Sequence, residues 1–443
     1  MSHLIPPAIA PFVVPVICGI VLVAVFPLLA GYIVLLERKL MADMQARLGP
    51  MRVGPHGLLQ PIADAFKLLI KEDIIPQGAD KFMFYVAPLI SVTMALVAFS
   101  AMPFGPVFQI ADLNVGLLFI VAVGSLGIYG IVLGGWSSNS HYSLIGALRS
   151  AAQLVSYETA AGLALVSALL LAGSLSMKDI VQAQADQGVW FIFVVPIGFF
   201  IYFVSSIAET NRAPFDLPEA ESELVAGYMT EYSGFRWALY FLAEYANMVI
   251  VAGIATTLFL GGWLRPFPGN HQHLIGTPFE LLDALPSLLF LGVALYCLSL
   301  VPRQPVQVQK LFMAGVAGAC VLLAAVMALT LFPPFDAARE GVHGAFWFMA
   351  KVGGYVYTFL WVRFTFPRYR FDQLMRLGWR FLIPLALVNV LVVSASIVVQ
   401  QNWEWKHPVV STVVTTAIML AVAFWLAEEG AKPEPAPQPA DGE

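Results

Sequence analysis

The chain has 443 residues, of which 59% are hydrophobic and only 12% are charged, with a formal net charge of −5 and a mean hydropathy of +0.80. A soluble domain carries roughly a quarter of its residues as Asp, Glu, Lys and Arg; half that share, spread among many apolar runs, excludes a soluble enzyme and points to an all-α, polytopic transmembrane helix bundle. Cys18, Cys297 and Cys320 lie singly in apolar segments, without the spacing of a zinc site, an iron–sulfur site or a disulfide framework.

Residues 12–36 are the first apolar run. It lacks a basic leader and a small-residue cleavage site, so it reads as a retained span rather than a signal peptide. In the loop that follows, residues 57–70 place Leu58, Ile62, Phe66 and Leu69 at helical spacing, with Asp64, Lys67 and Lys71 on other faces. That pattern predicts a short amphipathic helix at the membrane interface. It suits the lip of a site for a lipid-soluble substrate, or a contact with a neighbouring protein. Further runs near the ~20-residue spanning length fall around 84–104, 115–135, 151–173, 190–208, 237–262, 285–302, 311–332, 344–365, 379–400 and 408–427. About eleven spans are therefore predicted, making residues 1–427 one transmembrane domain. Residues 428–443, rich in Pro, Ala and Glu, read as a disordered tail.

The basic residues set an orientation. With the N-terminus outside, the inner side holds Arg38, Lys39, Arg47, Arg52, Lys67, Lys71, Lys81, Arg149, Arg212, Arg236, Arg303, Lys310, Arg363, Arg368, Arg370, Arg376, Arg380 and, on the tail, Lys432. Only Lys178, Arg265, Arg339, Lys351 and Lys406 fall outside or within a span. The N-terminus is thus expected outside, and the first loop and the C-terminus in the cytoplasm.

One inner loop stands out. Between two apolar runs, the stretch from Glu209 to Tyr228 sets Glu209, Asp216, Glu219, Glu221 and Glu223 against a single arginine, Arg212. Carboxylates crowded at membrane depth penalise one another's ionisation, which suits them to bind and release protons. The alternative is a solvated acidic loop; Pro214, Pro218, Phe215 and Leu217 favour a folded, partly buried one. Glu158 and Glu244 sit well inside apolar runs, where a glutamate costs several kcal/mol unless it is paired or functional. Arg149 precedes Glu158 by nine residues, too far for a direct pair along one helix. The chain has no dinucleotide fingerprint, no cysteine cluster and no paired haem histidines, so no redox cofactor or metal is expected on it.

Four blocks carry a resemblance: Glu37–Lys39 (ERK); Gly54–Asp64 (GPHGLLQPIAD) running on to Lys71–Glu72; Glu209–Tyr232; and Pro367–Trp379 (PRYRFDQLMRLGW). In these, and in their order, the chain resembles the H-subunit family of bacterial NADH–quinone oxidoreductase, respiratory complex I. The resemblance implies a component of a proton-translocating NADH:quinone oxidoreductase in the bacterial inner membrane, with no catalytic residue of its own. FMN and iron–sulfur clusters would reside in partner subunits, and the partners would be hydrophilic quinone-module subunits and small membrane subunits. This chain would form much of the chamber for the quinone (ubiquinone or a relative) and the start of the acidic path to the proton pump. By match to the family, Arg38, Asp64, Phe66 and Lys67 would line the quinone entrance, with Arg368, Arg370 and Arg376 near the same mouth, although Arg376 serves positive-inside topology equally. Glu37, Glu158, Glu209, Asp216, Glu219, Glu221, Glu223 and Glu244 would line the proton path. The family usually runs eight or nine spans, and residues 264–342 depart from it by an inserted hairpin, 285–332, that is expected to leave the four blocks untouched. The competing readings are a membrane component of a related energy-converting hydrogenase and a secondary transporter; against the latter, no internal repeat is evident.

Overall fold

The computed structural model describes residues 10–106, 108–216, 225–266, 276–304, 306–331, 336–402, 416–418, 420–422 and 424. Among them every regular element is helical. A 35-residue helix, α1 (Ala10–Met44), leads through residues 45–59, which include a helical turn at Pro55–Gly57, into α2 (Gln60–Ile70), a helix where the amphipathic pattern predicts one. Then come α3 (Lys81–Ser100), α4 (Gly116–Ser137), α5 (His141–Ala172), α6 (Met177–Gln187), a single turn α7 (Phe191–Val194) and α8 (Pro196–Glu209). The second half holds α9 (Gly234–Phe259), α10 (Gly276–Leu300), α11 (Gln307–Leu329), α12 (Asp336–Thr365) and α13 (Phe371–Arg376). A π-helical turn at Leu377–Leu382 joins α13 to α14 (Ile383–Asn402).

Eight of the described helices are long and apolar enough to cross a membrane. Two other expected spans are less regular: α8 is a shorter apolar helix, and α12 runs 30 residues but carries His343, Lys351 and Arg363. The last expected span, 408–427, lies mostly outside the described residues, as do residues 428–443.

Local chemistry sets the helix ends. Asp80 caps α3 by accepting from the backbone N–H groups of Phe82 and Met83 at 3.1 and 3.3 Å, which satisfies donors that have no partner within the helix. Gly173, at φ +68°, ends α5 in the left-handed conformation that glycine adopts most easily.

The bundle is built around α9. About 72% of its apolar window is buried, against 17% for α1 and for α10. It packs on α1, α3, α8 and α12, while α5 joins α4 to α8 and α14. An aromatic cluster of Phe199, Phe203, Phe259, Tyr355 and Phe359 fills the space between α8, α9 and α12, largely in edge-to-face contacts that favour ring pairs.

Cross-links define two ends of the bundle. At one end, Ile74 N donates to Ser233 Oγ at 2.9 Å, Arg236 pairs with Asp73, and Tyr369 N donates to Pro214 O at 3.2 Å. The loops expected to share the inner face therefore meet. At the other end, Lys178 pairs with Asp112 at 2.6 Å, and Lys351 Nζ donates to the carbonyls of Leu260 and Gly262 at 2.6 and 2.9 Å, tying α12 to the turn after α9.

The α10–α11 hairpin stands at the edge. It has a small core of its own, Cys297, Met313 and Ala317. Arg265 and Asp283 pair at 2.9 Å at its outer end, and Phe290 packs edge-on against Phe346. Its inner turn differs from the expectation of an insertion clear of the four blocks: the Gln304 amide lies 3.3 Å from Nε2 of His56, within Gly54–Asp64. The physical reason is length, because α10 and α11 are long enough to bring their connecting turn down to the level of the first loop.

Candidate functional site

After α8 the chain reverses at Glu209–Thr210–Asn211, with Asn211 in the left-handed region at φ +51°. Helix α5 locks this turn. The side-chain amide of Gln153, fully buried, donates to Ala208 O at 2.8 Å and Phe215 O at 2.9 Å, and Asn211 Nδ2 donates to Ser150 Oγ at 3.1 Å. Backbone carbonyls forced inside by the turn thereby find donors, which removes a cost of about 1–3 kcal/mol each. The returning strand of the loop lies against α5 where Gly146 has no side chain; a Cβ there would stand 2.7 Å from Gly227 Cα.

This fixed turn aims Arg212 into the bundle. Its side chain is 4% exposed, pairs with Glu244 Oε2 at 2.8 Å and lies over the Tyr245 ring at 4.5 Å. Tyr228 donates to the other Glu244 oxygen at 3.2 Å. The neighbouring residue extends the run, since Tyr245 OH donates to Glu37 Oε2 at 2.6 Å and Arg363 of α12 pairs with Glu37 Oε1. Arg363, Glu37, Tyr245, Arg212, Glu244 and Tyr228 thus form one polar run of alternating charge. It joins α12, α1, α9 and the acidic loop through the middle of an apolar bundle. Removing one member of such a buried pair costs far more than the pair contributes, so the run holds its members in register.

Beyond Glu244 lies a partly open cavity of about 80 Å³, lined by Glu158, Glu209, Glu244, Asn247 and Ser125 among apolar walls from Ile120, Leu154 and Ile254. At roughly 10–15 Å³ of such space per molecule, it has room for several waters and supplies the polar partners they need. Ser125 of α4 donates to Glu158. Three carboxylates from α5, α8 and α9 therefore face one polar space.

A second cluster lies on α1 and α2. Arg38 pairs with Asp64 Oδ2 at 2.6 Å, Gln60 donates to Oδ1 at 3.0 Å, and Lys67 Nζ stands 3.7 Å from the same oxygen. No residue of α2 is buried; Phe66 is 60% and Ile70 82% exposed, so the apolar face of this helix is open.

Three of the expected site residues, Arg38, Asp64 and Lys67, are thus brought together, Phe66 stands exposed on the same helix as Asp64, and Glu37 adjoins them one residue along α1. Glu158, Glu209 and Glu244 share the cavity. Arg368 instead clamps the acidic loop, donating to the backbone carbonyl of Asp216, and Arg370 uses its backbone N–H to bond Gln373 Oε1 at 3.1 Å. Among the described residues, no ion pair or hydrogen bond joins Arg368 or Arg370 to Arg38, Asp64 or Lys67. Glu219, Glu221 and Glu223 lie outside the described residues. Sequence reasoning passed over Arg363, Tyr245, Tyr228 and Ser125. Arg363 had a signal, an arginine within an apolar run; the tyrosines and the serine had none beyond proximity to an acid. Among the described residues, no group of three or more His, Cys, Asp or Glu side chains is placed to hold a metal ion.

Comparison with known proteins adds an independent line. A model of the NADH dehydrogenase family matches residues 17–394. The chain is similar to the NADH-quinone oxidoreductase H subunit, form 2, of Solibacter usitatus, 55% identical over 388 residues that cover 86% of this chain and 96% of that protein. It is 52% identical over 394 residues to the corresponding H subunit, form 1, of Koribacter versatilis, covering 86% of this chain and 89% of the relative. With the H subunit, form 2, of Geobacter metallireducens the identity is 43% over 402 residues, covering 86% and 95% of the two chains.

Proposed function

This chain belongs to the H-subunit family of NADH–quinone oxidoreductases, and from that premise we propose that it forms much of the quinone chamber and the start of the acidic path that couples quinone reduction to proton pumping. Family membership makes it a membrane component of a multisubunit enzyme, and the names of its relatives favour the quinone enzyme over a hydrogenase or a transporter. In this reading it lies in the bacterial inner membrane with the N-terminus periplasmic and the C-terminus cytoplasmic, following its basic residues. FMN and iron–sulfur clusters sit in hydrophilic partner subunits, and the quinone is the substrate.

The observation that carries the proposal is the buried run from Arg363 and Glu37 to Glu244, ending at the cavity that Glu158 and Glu209 share. A quinone needs an apolar wall for its tail and few polar groups for its head. The open face of α2 supplies the wall through Phe66, and the Arg38–Asp64 pair supplies the polar groups. Reducing a quinone to quinol consumes two electrons and two protons, so charge changes at the chamber as the reaction proceeds. Glu37 stands beside Arg38 and touches Tyr245, so a field change at the mouth reaches Arg212 and Glu244 through direct contacts rather than through bulk dielectric. In the cavity, the carboxylates of Glu209 and Glu158 then take up or release protons through water. Asp216, Glu219, Glu221 and Glu223 extend the acidic stretch on the same loop.

The test uses Arg38→Ala and Asp64→Ala in assembled complex. Both should lower NADH:quinone turnover while NADH oxidation by a hydrophilic artificial acceptor stays intact. Equal loss of both activities, or loss of neither, would remove α1 and α2 from the quinone step.

A further inference from the structure

The α10–α11 hairpin has one contact that its place at the edge of the bundle does not explain. Its inner turn reaches the loop Gly54–Leu59, where the Gln304 amide and His56 Nε2 stand 3.3 Å apart, and α11 packs on Pro55–Gly57. The amide N–H donates, so the His56 ring nitrogen accepts. His56 is held at φ +53°, between Gly54 at +73° and Gly57 at +76°. A histidine adopts that region at a cost, and surrounding contacts must hold it there. The loop is otherwise closed on itself, with Leu58 N bonding Pro55 O at 3.1 Å and Leu59 N bonding Val53 O at 3.2 Å.

What this loop controls is α2. That helix has no side-chain cap at its N-terminus and no buried residue, so its own packing anchors it weakly. Its first residue, Gln60, is also the one that donates to Asp64. A shift of His56 is therefore passed within four residues to Gln60 and through it to the Arg38–Asp64 pair.

From this geometry we infer that the α10–α11 hairpin acts as a brace for the quinone mouth, with Gln304 and His56 as positioning residues that set α2 over the entrance. The inference rests on the reading of α2 as the lip of the quinone site. Neither residue touches the quinone. Gln304 holds the left-handed turn, the turn starts α2, and α2 presents Asp64 and Phe66. The hairpin leaves apolar residues such as Leu295, Leu311 and Leu322 exposed.

The experiment is steady-state kinetics of the assembled complex in membranes, with a short-chain quinone varied at saturating NADH. Gln304→Ala should raise KM for quinone about two- to tenfold, the range that one neutral hydrogen bond supports, while kcat and NADH oxidation by a hydrophilic artificial acceptor stay unchanged. Gln304→Glu should recover most of the shift, because a carboxylate can still engage the imidazole once it carries a proton on Nε2. His56→Ala should raise KM similarly, and the double variant should be no worse than either single one, as partners in one contact require. An unchanged KM in Gln304→Ala, strictly additive effects, or a fall in assembled complex with no KM shift would each overturn the proposal. Asp64→Ala separates the brace from the mouth it supports. If it raises KM and Gln304→Ala does not, only the brace fails. If Asp64→Ala leaves KM unchanged, the α2 mouth fails and the brace with it.

Discussion

Replacing Arg212 with Met tests how the polar run is held. The guanidinium is 4% exposed and pairs with a Glu244 side chain that is 9% exposed. Removing one partner of a buried pair costs about 3–5 kcal/mol, because the other charge is left without compensation. The contact with the Tyr245 ring adds up to ~2 kcal/mol when desolvated, while the hydrogen bond from Tyr228 to Glu244 is made with or without the arginine and offsets nothing. Arg212→Met should therefore cost about 3–7 kcal/mol, enough to deplete assembled complex sharply on heating. Arg212→Met combined with Glu244→Gln removes both charges and should recover most of that stability. The assay is the fraction of complex surviving a temperature series on native gels, read beside NADH:quinone activity and proton movement in vesicles. The double variant should regain assembly while proton movement stays low. If single and double variants lose assembly equally, the cost lies in packing of the arginine and not in a stranded carboxylate.

Other outcomes follow from the same geometry. Arg38→Ala removes an ion pair whose side chains are 41% and 23% exposed, so it should cost under about 1 kcal/mol in stability; thermal survival should match wild type while quinone turnover falls. Ser125→Ala deprives Glu158 of its donor and should slow proton movement more than it changes KM for quinone, measured in sealed vesicles. Lys351→Met breaks charge-assisted bonds to Leu260 and Gly262, each worth ~1.5–3 kcal/mol; heat inactivation should come earlier with KM for quinone unaltered.

Much of the architecture was legible because it depends on local pattern. Apolar runs, the amphipathic 57–70 segment and the basic loops are properties of neighbouring residues, and the helices follow them. The site was legible only by residue type. An acid within an apolar run signals a cost that something must offset, but the sequence does not say what offsets it. Glu244 finds Arg212 thirty-two positions earlier in the chain, and Glu37 finds Arg363 across nearly the whole length. Such pairs depend on which faces of α1, α9 and α12 meet, which no periodicity encodes. Gln304 was harder still, since a glutamine in a polar turn has no signal until the turn is seen resting on His56. Arg368 shows the converse, an arginine expected at the mouth that spends its donors on the Asp216 carbonyl.

The central claim is that carboxylates around the cavity move protons in step with quinone chemistry, and Glu209→Gln addresses it most directly. Gln keeps the size and the hydrogen-bonding capacity of Glu209 but cannot take up a proton. The measurement is inhibitor-sensitive NADH:quinone turnover together with acidification of sealed vesicles, in assembled complex. Asp112→Asn, at the exposed pair with Lys178 on the far end of the bundle, serves as the control. Glu209→Gln should depress both readouts together and leave NADH oxidation by an artificial acceptor unaffected, while Asp112→Asn changes none of them. Wild-type turnover and wild-type acidification in Glu209→Gln would contradict the account.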